Sequence, residues 1–245
     1  MERPFIFCHM MTSVDGKIMG NYMDTPEGEK TGDVFYSLAF GAEAFYPMDA
    51  WICGRITTED NFTFYRKPAL DENAPAVPEG DYVVPARFDK YYVSLDPSGK
   101  VGWESDSVQY MDTSANVIEL LTGKASNAYK AFLRRMNISY IIAGEERLDC
   151  HLAVKKLYEL FGVRNLMLGG GGIINWSFIR EGLCDELSVV VTPSADASTA
   201  TQTLFMAKEG LTEEKPVGFS VIDAKVLSGD IIWLRYKVKD SAEKG

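Results

Sequence analysis

Histidine and positive charge are both scarce in this sequence, and each shortage excludes a class of protein. Two histidines occur among 245 residues, and 25 lysines and arginines face 35 aspartates and glutamates, so the formal net charge is −10. Because His9 and His151 stand alone and far apart in the chain, they do not predict a metal site. Nucleic-acid binding needs clustered cations for phosphate contacts, so the acidic composition argues against a nucleic-acid partner.

Long apolar runs and paired cysteines are also missing. No run reaches the roughly 18 apolar residues of a membrane helix, and the first residues lack the apolar core and cleavage site of a signal peptide. The four cysteines form no CxxC pair, which favours reduced, buried thiols over a disulfide or metal framework. These absences predict a cytoplasmic protein that has neither a membrane nor a nucleic acid as its partner.

The common nucleotide-binding fingerprints do not occur, but a different glycine cluster does. Neither GxGxxG nor GxxxxGK[ST] is present, which disfavours the Rossmann and P-loop classes. Four consecutive glycines at 169–172 instead separate a short apolar run at 166–168 from the helical spacing of 173–179. Strand, glycine turn and helix N-terminus together predict an anion pocket of the kind that holds the pyrophosphate of a dinucleotide. A flexible glycine loop without a ligand is the alternative.

The rest of the sequence alternates strand-like and helix-like segments and ends in a hairpin. Residues 217–227 and 231–238 form two predicted strands around a turn at 228–230. This pattern predicts an α/β fold with a three-layer α/β/α mixed sheet and a C-terminal antiparallel β-hairpin. We expect one domain over residues 1–240 and a frayed tail at 241–245. The other predicted strands are 5–11, 50–53, 90–95, 108–111, 139–143, 166–168 and 187–192, and the predicted helices are 31–45, 126–136, 152–161 and 173–179.

Two of these assignments rest on a few residues each. Thr31 is the expected N-cap of the helix at 31–45, because it directly precedes an apolar face with helical spacing. Four prolines and many charges at 66–86 predict a surface loop, which we expect to border the substrate site.

Two further segments carry polar groups at predicted strand ends, where open α/β sheets bind their ligands. In the first, Thr12-Ser13-Val14-Asp15-Gly16, an ordinary Asp-Gly turn is the alternative interpretation. In the second, Gly54 permits close approach, Arg55 supplies charge and Thr57 offers a hydroxyl to a phosphate. A solvated arginine at a helix start is the alternative there.

Adjacent carboxylates at Asp185 and Glu186 join the helix after the glycine cluster to the next strand. Paired carboxylates are typical of general acid–base catalysis. A turn and an edge charge explain them equally well, and we favour this structural interpretation.

Taken together, these segments resemble the reductase domain of riboflavin biosynthesis, of the RibD C-terminal type. The resemblance rests on the order and spacing of residues 13–17, 49–57, 168–175 and 181–187 with Pro193 beyond, and it covers about residues 4–238. It implies a dihydrofolate-reductase-like fold, an NADPH-dependent oxidoreductase with a small-molecule substrate and, usually, a homodimer. Members of the family reduce the ribose of 5-amino-6-(5-phosphoribosylamino)uracil to ribityl.

The resemblance also implies roles for single residues. Asp15 would lie near the reacting centre as the candidate catalytic residue. The turn from Ser94 to Ser98 would lie near the 2′-phosphate of NADPH, and Ala143 with Gly144 would form another cofactor-side pair. The cofactor-binding residues expected in all are Thr12, Gly54, Arg55, Thr57, Asn61, Ser94, Ser98, Ala143, Gly144, Gly169, Gly170, Gly171, Gly172, Ile173, Ile174 and Asn175, and no metal ligand is expected.

Three departures from the family pattern mark a divergent member. Gly169 stands where the riboflavin enzymes have a substrate-contacting glutamate, Asn61 stands where the family has an aspartate, and no Ser-x-Trp element occurs between Gly20 and Gly32. We expect the cofactor to be kept, while the substrate, the pathway and the stereochemistry of hydride transfer stay open. A non-catalytic NADP(H)-binding protein and a folate-type reductase are the alternatives to a riboflavin-type reductase.

Overall fold

The computed structural model describes residues 2–239, and the tail predicted at 241–245 lies outside them. A 3-10 turn at Asn21–Asp24 precedes the first helix, and a π-helical turn at Glu59–Thr63 follows the second. Numbered in chain order, the strands are β1 (Phe5–Thr12), β2 (Ala50–Gly54), β3 (Tyr91–Leu95), β4 (Ser107–Tyr110), β5 (Thr113–Leu121), β6 (Ser139–Ile142), β7 (Asn165–Leu168), β8 (Glu186–Val191), β9 (Phe219–Val226) and β10 (Ile232–Val238). The helices are α1 (Pro26–Ala39), α2 (Arg55–Thr58), α3 (Asn127–Arg135), α4 (Cys150–Phe161) and α5 (Gly172–Arg180).

The chain divides into two compact units, each assembled from separate stretches of sequence. Unit 1 is Asp49–Leu166 with the residues before Phe5, and unit 2 is Phe5–Met48 with the chain from Met167 onward. The division falls within β7, whose first two residues belong to unit 1. The single domain expected over residues 1–240 stays a prediction.

Unit 1 is built mainly on parallel strands. Strand β3 lies between β2 and β5 and pairs in parallel with both. Strand β5 pairs antiparallel with β4 along its first half and parallel with β6 along its second half. Parallel strands place their carboxyl ends on one edge of a sheet, so the residues that follow β2, β3, β5 and β6 share one edge of this unit.

Unit 2 combines parallel and antiparallel pairing. Strands β1 and β8 are parallel, while β10 pairs antiparallel with both β8 and β9. The β9–β10 pair is the predicted C-terminal hairpin, which is thereby confirmed. Its turn is closed by the Leu227 N–H, which donates to the Ile231 carbonyl over 2.7 Å, and it contains Gly229 and Asp230 at positive φ.

The apolar core of each unit lies on its central strands. These strands carry near-continuous apolar runs, as is typical of strands covered on both faces. The fully buried side chains include Ile52, Val93, Ile118, Leu120 and Ile141 in unit 1, and Ile6, Phe7, Cys8 and Val190 in unit 2.

The helix predicted at 31–45 is misplaced, because α1 spans Pro26–Ala39. Thr25 is its N-cap, with Oγ1 accepting the Gly28 N–H over 3.1 Å, and Pro26 occupies the first helical position. Thr31 lies inside the helix, where its hydroxyl donates to the Glu27 carbonyl over 2.7 Å. Glycine inside the first turn lowers the sequence signal for a helix there. Gly28 is nevertheless required, because a Cβ atom on it would collide with the Tyr22 carbonyl oxygen.

Strand β5 is the longest in the structure, with nine residues, yet the sequence analysis assigns no strand to it. Its first four residues alternate between buried and half-buried, and its last five are all buried. No single periodicity therefore marks it.

The loop predicted at 66–86 contains no helix or named strand, and its Tyr82 pairs with Tyr140 in an isolated bridge.

Two negative findings apply to residues 2–239. None of the helices in that range has the length and apolar character needed to cross a membrane. The same range holds no group of three or more His, Cys, Asp or Glu side chains placed to bind a metal ion. All four cysteine side chains are buried.

His9 is a fully buried side chain of β1, and its two ring nitrogens are both hydrogen-bonded. The Phe35 carbonyl can only accept, so Nε2–H donates to it over 3.0 Å. Nδ1 is then the acceptor for the Ser188 hydroxyl at 2.8 Å, and the same hydroxyl accepts the Trp233 indole N–H at 2.9 Å. The ring also stacks on Phe35 with centroids 4.5 Å apart. Burial lowers the pKa of His9 to about 4, so the imidazole is neutral in the fold.

We expect acid to destabilise the protein through His9. An unfolded histidine takes up a proton near pH 6.5, whereas His9 in the fold takes one up only near pH 4. The unfolded state binds the proton first as the pH falls, so this contribution is fully present above pH 6.5 and is lost progressively down to about pH 4. The total loss is about 3 kcal/mol.

Urea unfolding of wild type, His9→Gln and His151→Gln at a series of pH values measures this effect. His9→Gln should be less stable at neutral pH and should show a flatter decline between pH 6.5 and pH 4. His151→Gln replaces the exposed second histidine and should follow the wild type. Parallel declines in wild type and His9→Gln would contradict the assignment to His9.

Candidate functional site

In unit 2 the glycine turn links β7 to α5, as the sequence predicts. Gly170 is buried and adopts φ 101°, a conformation that favours glycine, and the peptide bond between Gly170 and Gly171 is cis. The first intrahelical hydrogen bonds of α5 come from the Ile174 and Asn175 N–H groups, which both donate to the Gly171 carbonyl over 3.1 Å. The N–H groups of Gly172 and Ile173 precede these bonds and have no partner inside the helix. They form the helix N-terminus that suits an anion.

Packing within the protein also requires glycine at this turn. A Cβ atom on Gly172 would collide with the Thr203 carbonyl oxygen, and one on Gly171 would collide with Gln202 Oε1. On Gly170 a Cβ would lie 3.1 Å from Met10 Cε. The Cα atoms of three glycines are therefore covered by the protein itself. What the turn offers to a ligand is its main-chain N–H groups.

Asn175 is fully buried in the first turns of α5 and is only partly satisfied. Its Nδ2 donates to the Leu204 carbonyl over 3.3 Å. Its Oδ1 is buried and has no hydrogen-bond partner within the described residues. An unsatisfied buried acceptor is costly, so this atom calls for a hydrogen-bond donor that the described residues do not supply.

Thr12 ends β1 in the same unit, and Asp15 follows it. Thr12 is buried, and its carbonyl accepts the Thr192 N–H over 2.8 Å. The Asp15 carboxylate accepts the Ser13 hydroxyl at 2.7 Å and the Asp196 and Ala197 N–H groups at 3.0 and 2.9 Å. The Ser13 hydrogen bond is the main reason why the pKa of Asp15 falls to about 2. Asp15 is therefore ionised at neutral pH and anchors the loop that follows β8.

In unit 1 the predicted residues around α2 lie beyond the carboxyl end of β2. Gly54 ends that strand and is the N-cap of α2. The Arg55 guanidinium forms an ion pair with Glu59, whose side chain is almost fully buried. The Thr57 carbonyl accepts the Asn61 side-chain amide over 2.7 Å. Arg55 is therefore engaged by a protein carboxylate, and the interpretation of a freely solvated arginine does not describe it.

The other predicted residues of unit 1 lie on the same sheet edge or next to it. Ser94 is a fully buried residue of β3, and its hydroxyl accepts from Thr58 Oγ1 at 3.3 Å. Ser98 belongs to the turn after β3, which is closed by the Gly99 N–H donating to the Asp96 carbonyl. Ala143 and Gly144 follow β6, and the Gly144 carbonyl accepts the Gly123 N–H over 3.0 Å. The strand ends bring Gly54, Ser98, Ala143 and Gly144 to one edge, whereas the Ser94 side chain is part of the core.

A buried carboxyl group in unit 1 has no counterpart in the sequence analysis. Glu119 lies fully buried on β5, where Oε1 accepts the Trp103 indole N–H, while the Tyr129 hydroxyl donates to the Val101 carbonyl over 3.0 Å. Burial raises the pKa of Glu119 well above its usual range, and the nearby Asp96 charge adds to the rise. The neighbours of Glu119 in the fold explain the pKa shift. No periodic pattern in the sequence predicts a buried carboxyl group at this position.

The carboxylates at Asp185 and Glu186 have structural partners, as the favoured interpretation expects. Asp185 Oδ2 accepts the Ile6 N–H over 2.8 Å. Glu186 forms a two-point ion pair with Arg235, at 2.7 and 3.1 Å, and also accepts the Tyr46 hydroxyl. Both groups tie β8 to its surroundings in unit 2.

Residues 192–206, here called the strap, complete the surroundings of the glycine turn and are missed by the sequence analysis. The strap lies against the residues after β1 and against the start of α5. The Ile18 N–H donates to the Gln202 carbonyl over 3.0 Å, and the Met206 N–H donates to the Gly172 carbonyl over 3.1 Å. Pro193 and the many Ser, Thr and Ala residues of the strap show no periodicity, so only its partners in the fold reveal it.

Comparisons with known proteins agree with this architecture. The chain is 30% identical over 105 residues to the 2,5-diamino-6-ribosylamino-4(3H)-pyrimidinone 5′-phosphate reductase of Methanothermobacter thermautotrophicus, covering 43% of this chain and 48% of that protein. The match thus spans about half the length of that relative.

Solved structures show the same fold at low sequence identity. A pyrimidine reductase-like protein from Corynebacterium diphtheriae has a TM-score of 0.66 at 17% identity, over 97% of this chain and 92% of the other. The riboflavin biosynthesis reductase Rib7 of Saccharomyces cerevisiae has a TM-score of 0.58 at 14% identity, over 97% and 90%. The predicted fold class, a mixed α/β fold of the dihydrofolate-reductase-like type, is confirmed.

A family profile confirms the family that the sequence resembles. The profile of the RibD C-terminal domain matches residues 97–227, which is more than half of the chain. This segment runs from the turn after β3 through the glycine turn and the strap to the end of β9. The protein belongs to the RibD C-terminal domain family.

Proposed function

We propose that the protein is an NADPH-dependent reductase that transfers hydride to a carbonyl or imine carbon of a small molecule. The proposal is supported by family membership and by the name of the relative from Methanothermobacter thermautotrophicus, a reductase of a phosphorylated ribosylaminopyrimidinone. The observation that carries it is the glycine turn, which leaves the Gly172 and Ile173 N–H groups at the start of α5 unpaired within the helix.

The residues of the glycine turn suit a dinucleotide. Unpaired N–H groups at a helix N-terminus favour a pyrophosphate, and the unsatisfied Asn175 Oδ1 offers an acceptor to a hydroxyl or amide N–H of the same ligand. In this proposal Thr12 and the residues from Gly169 to Asn175 contact the cofactor in unit 2. In unit 1 the proposed contacts are Gly54, Arg55, Thr57, Asn61, Ser98, Ala143 and Gly144, and the buried Ser94 is no longer among them.

Reduction of a carbonyl or imine carbon needs a hydride on carbon and a proton on the oxygen or nitrogen. NADPH supplies the hydride when it is bound, and the proton comes from water or from the protein. The work of this chain is to hold the two reactants in a reactive orientation, which lowers a barrier by several kcal/mol. A carboxyl group with a pKa of about 2 is a poor proton donor at neutral pH, so we assign Asp15 an orienting role and no proton relay.

We propose a phosphorylated ribosylaminopyrimidine, as in 5-amino-6-(5-phosphoribosylamino)uracil, as the first substrate to test. Two alternatives remain in the test. A non-catalytic NADP(H)-binding protein is favoured by Gly169, which stands where the riboflavin enzymes have a glutamate. A folate-type reductase is the other alternative.

We also propose that the protein acts as a homodimer, which sedimentation equilibrium tests.

The cofactor and the reaction are tested together. We expect NADPH to bind, measured by quenching of protein fluorescence, and to be oxidised when the phosphorylated ribosylaminopyrimidine is added. Tight binding without oxidation of NADPH across pyrimidine and carbonyl substrates would favour the non-catalytic alternative. Oxidation with dihydrofolate, blocked by methotrexate, would favour the folate-type enzyme. Failure to bind any nicotinamide dinucleotide would overturn the proposal.

Removing the Asp15 carboxylate is expected to slow turnover. Asp15→Ala releases the Asp196 and Ala197 N–H groups that the carboxylate holds, and kcat should fall by at least about tenfold. The matched control is Asp223→Ala, which removes a half-buried aspartate with a lowered pKa, here paired with Lys225 on the terminal hairpin.

A pH profile separates orientation from proton transfer at Asp15. With a pKa of about 2, Asp15 should add no inflection to the wild-type kcat between about pH 5 and pH 9. An inflection in that range that disappears in Asp15→Asn would show that Asp15 moves a proton. Unchanged turnover in Asp15→Ala would remove the residue from the site.

A further inference from the structure

The strap holds Gln202 next to the glycine turn. The strap's first half is fixed by two carboxylates: Asp15 accepts the N–H groups of residues 196 and 197, and Asp196 Oδ1 accepts the Ser198 N–H over 3.1 Å. Asp196 Oδ2 also accepts the Tyr22 N–H over 3.3 Å, which ties the strap to the 3-10 turn before α1. Main-chain polar groups of the strap are therefore satisfied along much of its length.

The second half of the strap is fixed by its backbone on both sides of residue 202. On one side the Gln202 carbonyl accepts the Ile18 N–H and the Leu204 N–H donates to the Gly16 carbonyl over 3.1 Å. On the other side the Met206 N–H donates to Gly172, whose missing Cβ lets the Thr203 carbonyl approach. The Gln202 backbone is thus pinned between two segments, which leaves its side chain as the adjustable part.

The Gln202 side chain ends beside the glycine turn. Its Oε1 lies within collision distance of the position that a Cβ on Gly171 would take, one residue before the N–H of Gly172 that is unpaired within the helix. Its carboxamide makes no hydrogen bond to any residue between 2 and 239. A side-chain amide carries two N–H donors and turns readily about its last torsion, so it can present a donor to an anion.

A second observation points to a ligand at this junction. Asn175 is fully buried, and its side-chain amide bridges α5 and the strap through the Leu204 carbonyl, yet its Oδ1 has no partner. Thr201, next to Gln202 in the strap, also has a buried hydroxyl without a hydrogen-bond partner. Unsatisfied polar atoms therefore occur on both sides of the junction between the strap and the first turns of α5, in the part of the chain that the structure describes.

We propose that Gln202 is a ligand-binding residue, whose side-chain amide donates a hydrogen bond to a phosphate group held at the N-terminus of α5. This inference rests on the proposed function, because the phosphate is taken to be that of the dinucleotide. The helix N–H groups neutralise part of the charge of the anion, and the amide adds a donor without adding a competing charge. Gln202 thereby links the strap, and the Asp15 that anchors it, to cofactor affinity.

A charge series at position 202 tests the proposal through the dissociation constant for NADPH. Gln202→Ala should weaken binding about tenfold, since a hydrogen bond to a charged group is lost. Gln202→Glu should weaken it further, because a carboxylate would face the phosphate, and Gln202→Lys should bind at least as tightly as wild type. Raising the salt concentration should reduce the difference in the dissociation constant for NADPH between Gln202→Glu and Gln202→Lys.

The matched control is Gln109→Glu, which adds the same charge at the other glutamine of the chain, an exposed residue of β4. Circular dichroism and thermal unfolding check that each variant folds. Binding within twofold of wild type in both Gln202→Ala and Gln202→Glu would overturn the proposal. Tighter binding in Gln202→Ala would overturn it as well, because Gln202 would then be a cover that the ligand displaces. If wild type itself fails to bind NADPH, the proposed function fails. If wild type binds NADPH and the dissociation constant does not change across the Gln202 variants, only the role of Gln202 fails.

Discussion

The close approach of two backbones at Gly172 is the constraint on which the site in unit 2 depends. The Thr203 carbonyl fills the space that any Cβ on Gly172 would take, and the Met206 N–H bonds to the Gly172 carbonyl. Glycine is therefore needed first for packing, and its permissive conformation matters most at Gly170, where φ is positive. Because the strap covers the Cα atoms of Gly171 and Gly172, the main-chain N–H groups at the start of α5 are the part of the turn left for an anion.

This arrangement gives an acidic protein a local place for an anion. With a net charge of −10 the chain gains nothing from long-range attraction, so the attraction has to be local. Side-chain cations are not the main local source, since Arg55 is held by the buried Glu59. A helix N-terminus carries about half a positive charge, concentrated on its unpaired N–H groups. It acts over a short distance and is little affected by acidic groups elsewhere on the surface.

The sequence predicts the parts of this structure that carry a local signal. The glycine turn, the terminal hairpin and the helices predicted at 126–136 and 152–161 depend on residue types at fixed spacings, and the structure has a turn, a hairpin or a helix at each. The start of α1 is not predictable from the sequence, because Gly28 lowers the helix propensity there. The close packing against Tyr22 that requires glycine at this position is visible only in the fold. Strand β5 was hidden because it is buried on one face at its start and on both faces at its end.

The candidate site shows the same division between local and distant information. The residues at strand ends are predictable, because parallel strands bring their carboxyl ends to one edge. The partners of Asp15 are not predictable, since the N–H group of Asp196 comes from 181 residues further along the chain. The hydrogen bonds between the strap and the glycine turn are likewise set by the fold alone. Asp15 lies in an Asp-Gly turn, in which the Gly16 N–H donates to the Ser13 carbonyl, and its second role as an anchor of the strap is visible only in the fold.

Two buried ionisable groups show that the core of each unit disfavours the charged form of a polar side chain. His9 in unit 2 and Glu119 in unit 1 are both fully buried, and burial is the largest cause of each pKa shift. Their effects on stability have opposite signs. The lowered pKa of His9 makes acid unfavourable below pH 6.5, whereas the raised pKa of Glu119 makes the fold less stable as the pH rises above the value of 4.5 at which an unfolded glutamate ionises. Between pH 4.5 and pH 6.5 the His9 and Glu119 contributions to the free energy of unfolding change with pH in opposite directions. Each therefore reduces the net pH dependence of stability that the other would cause alone.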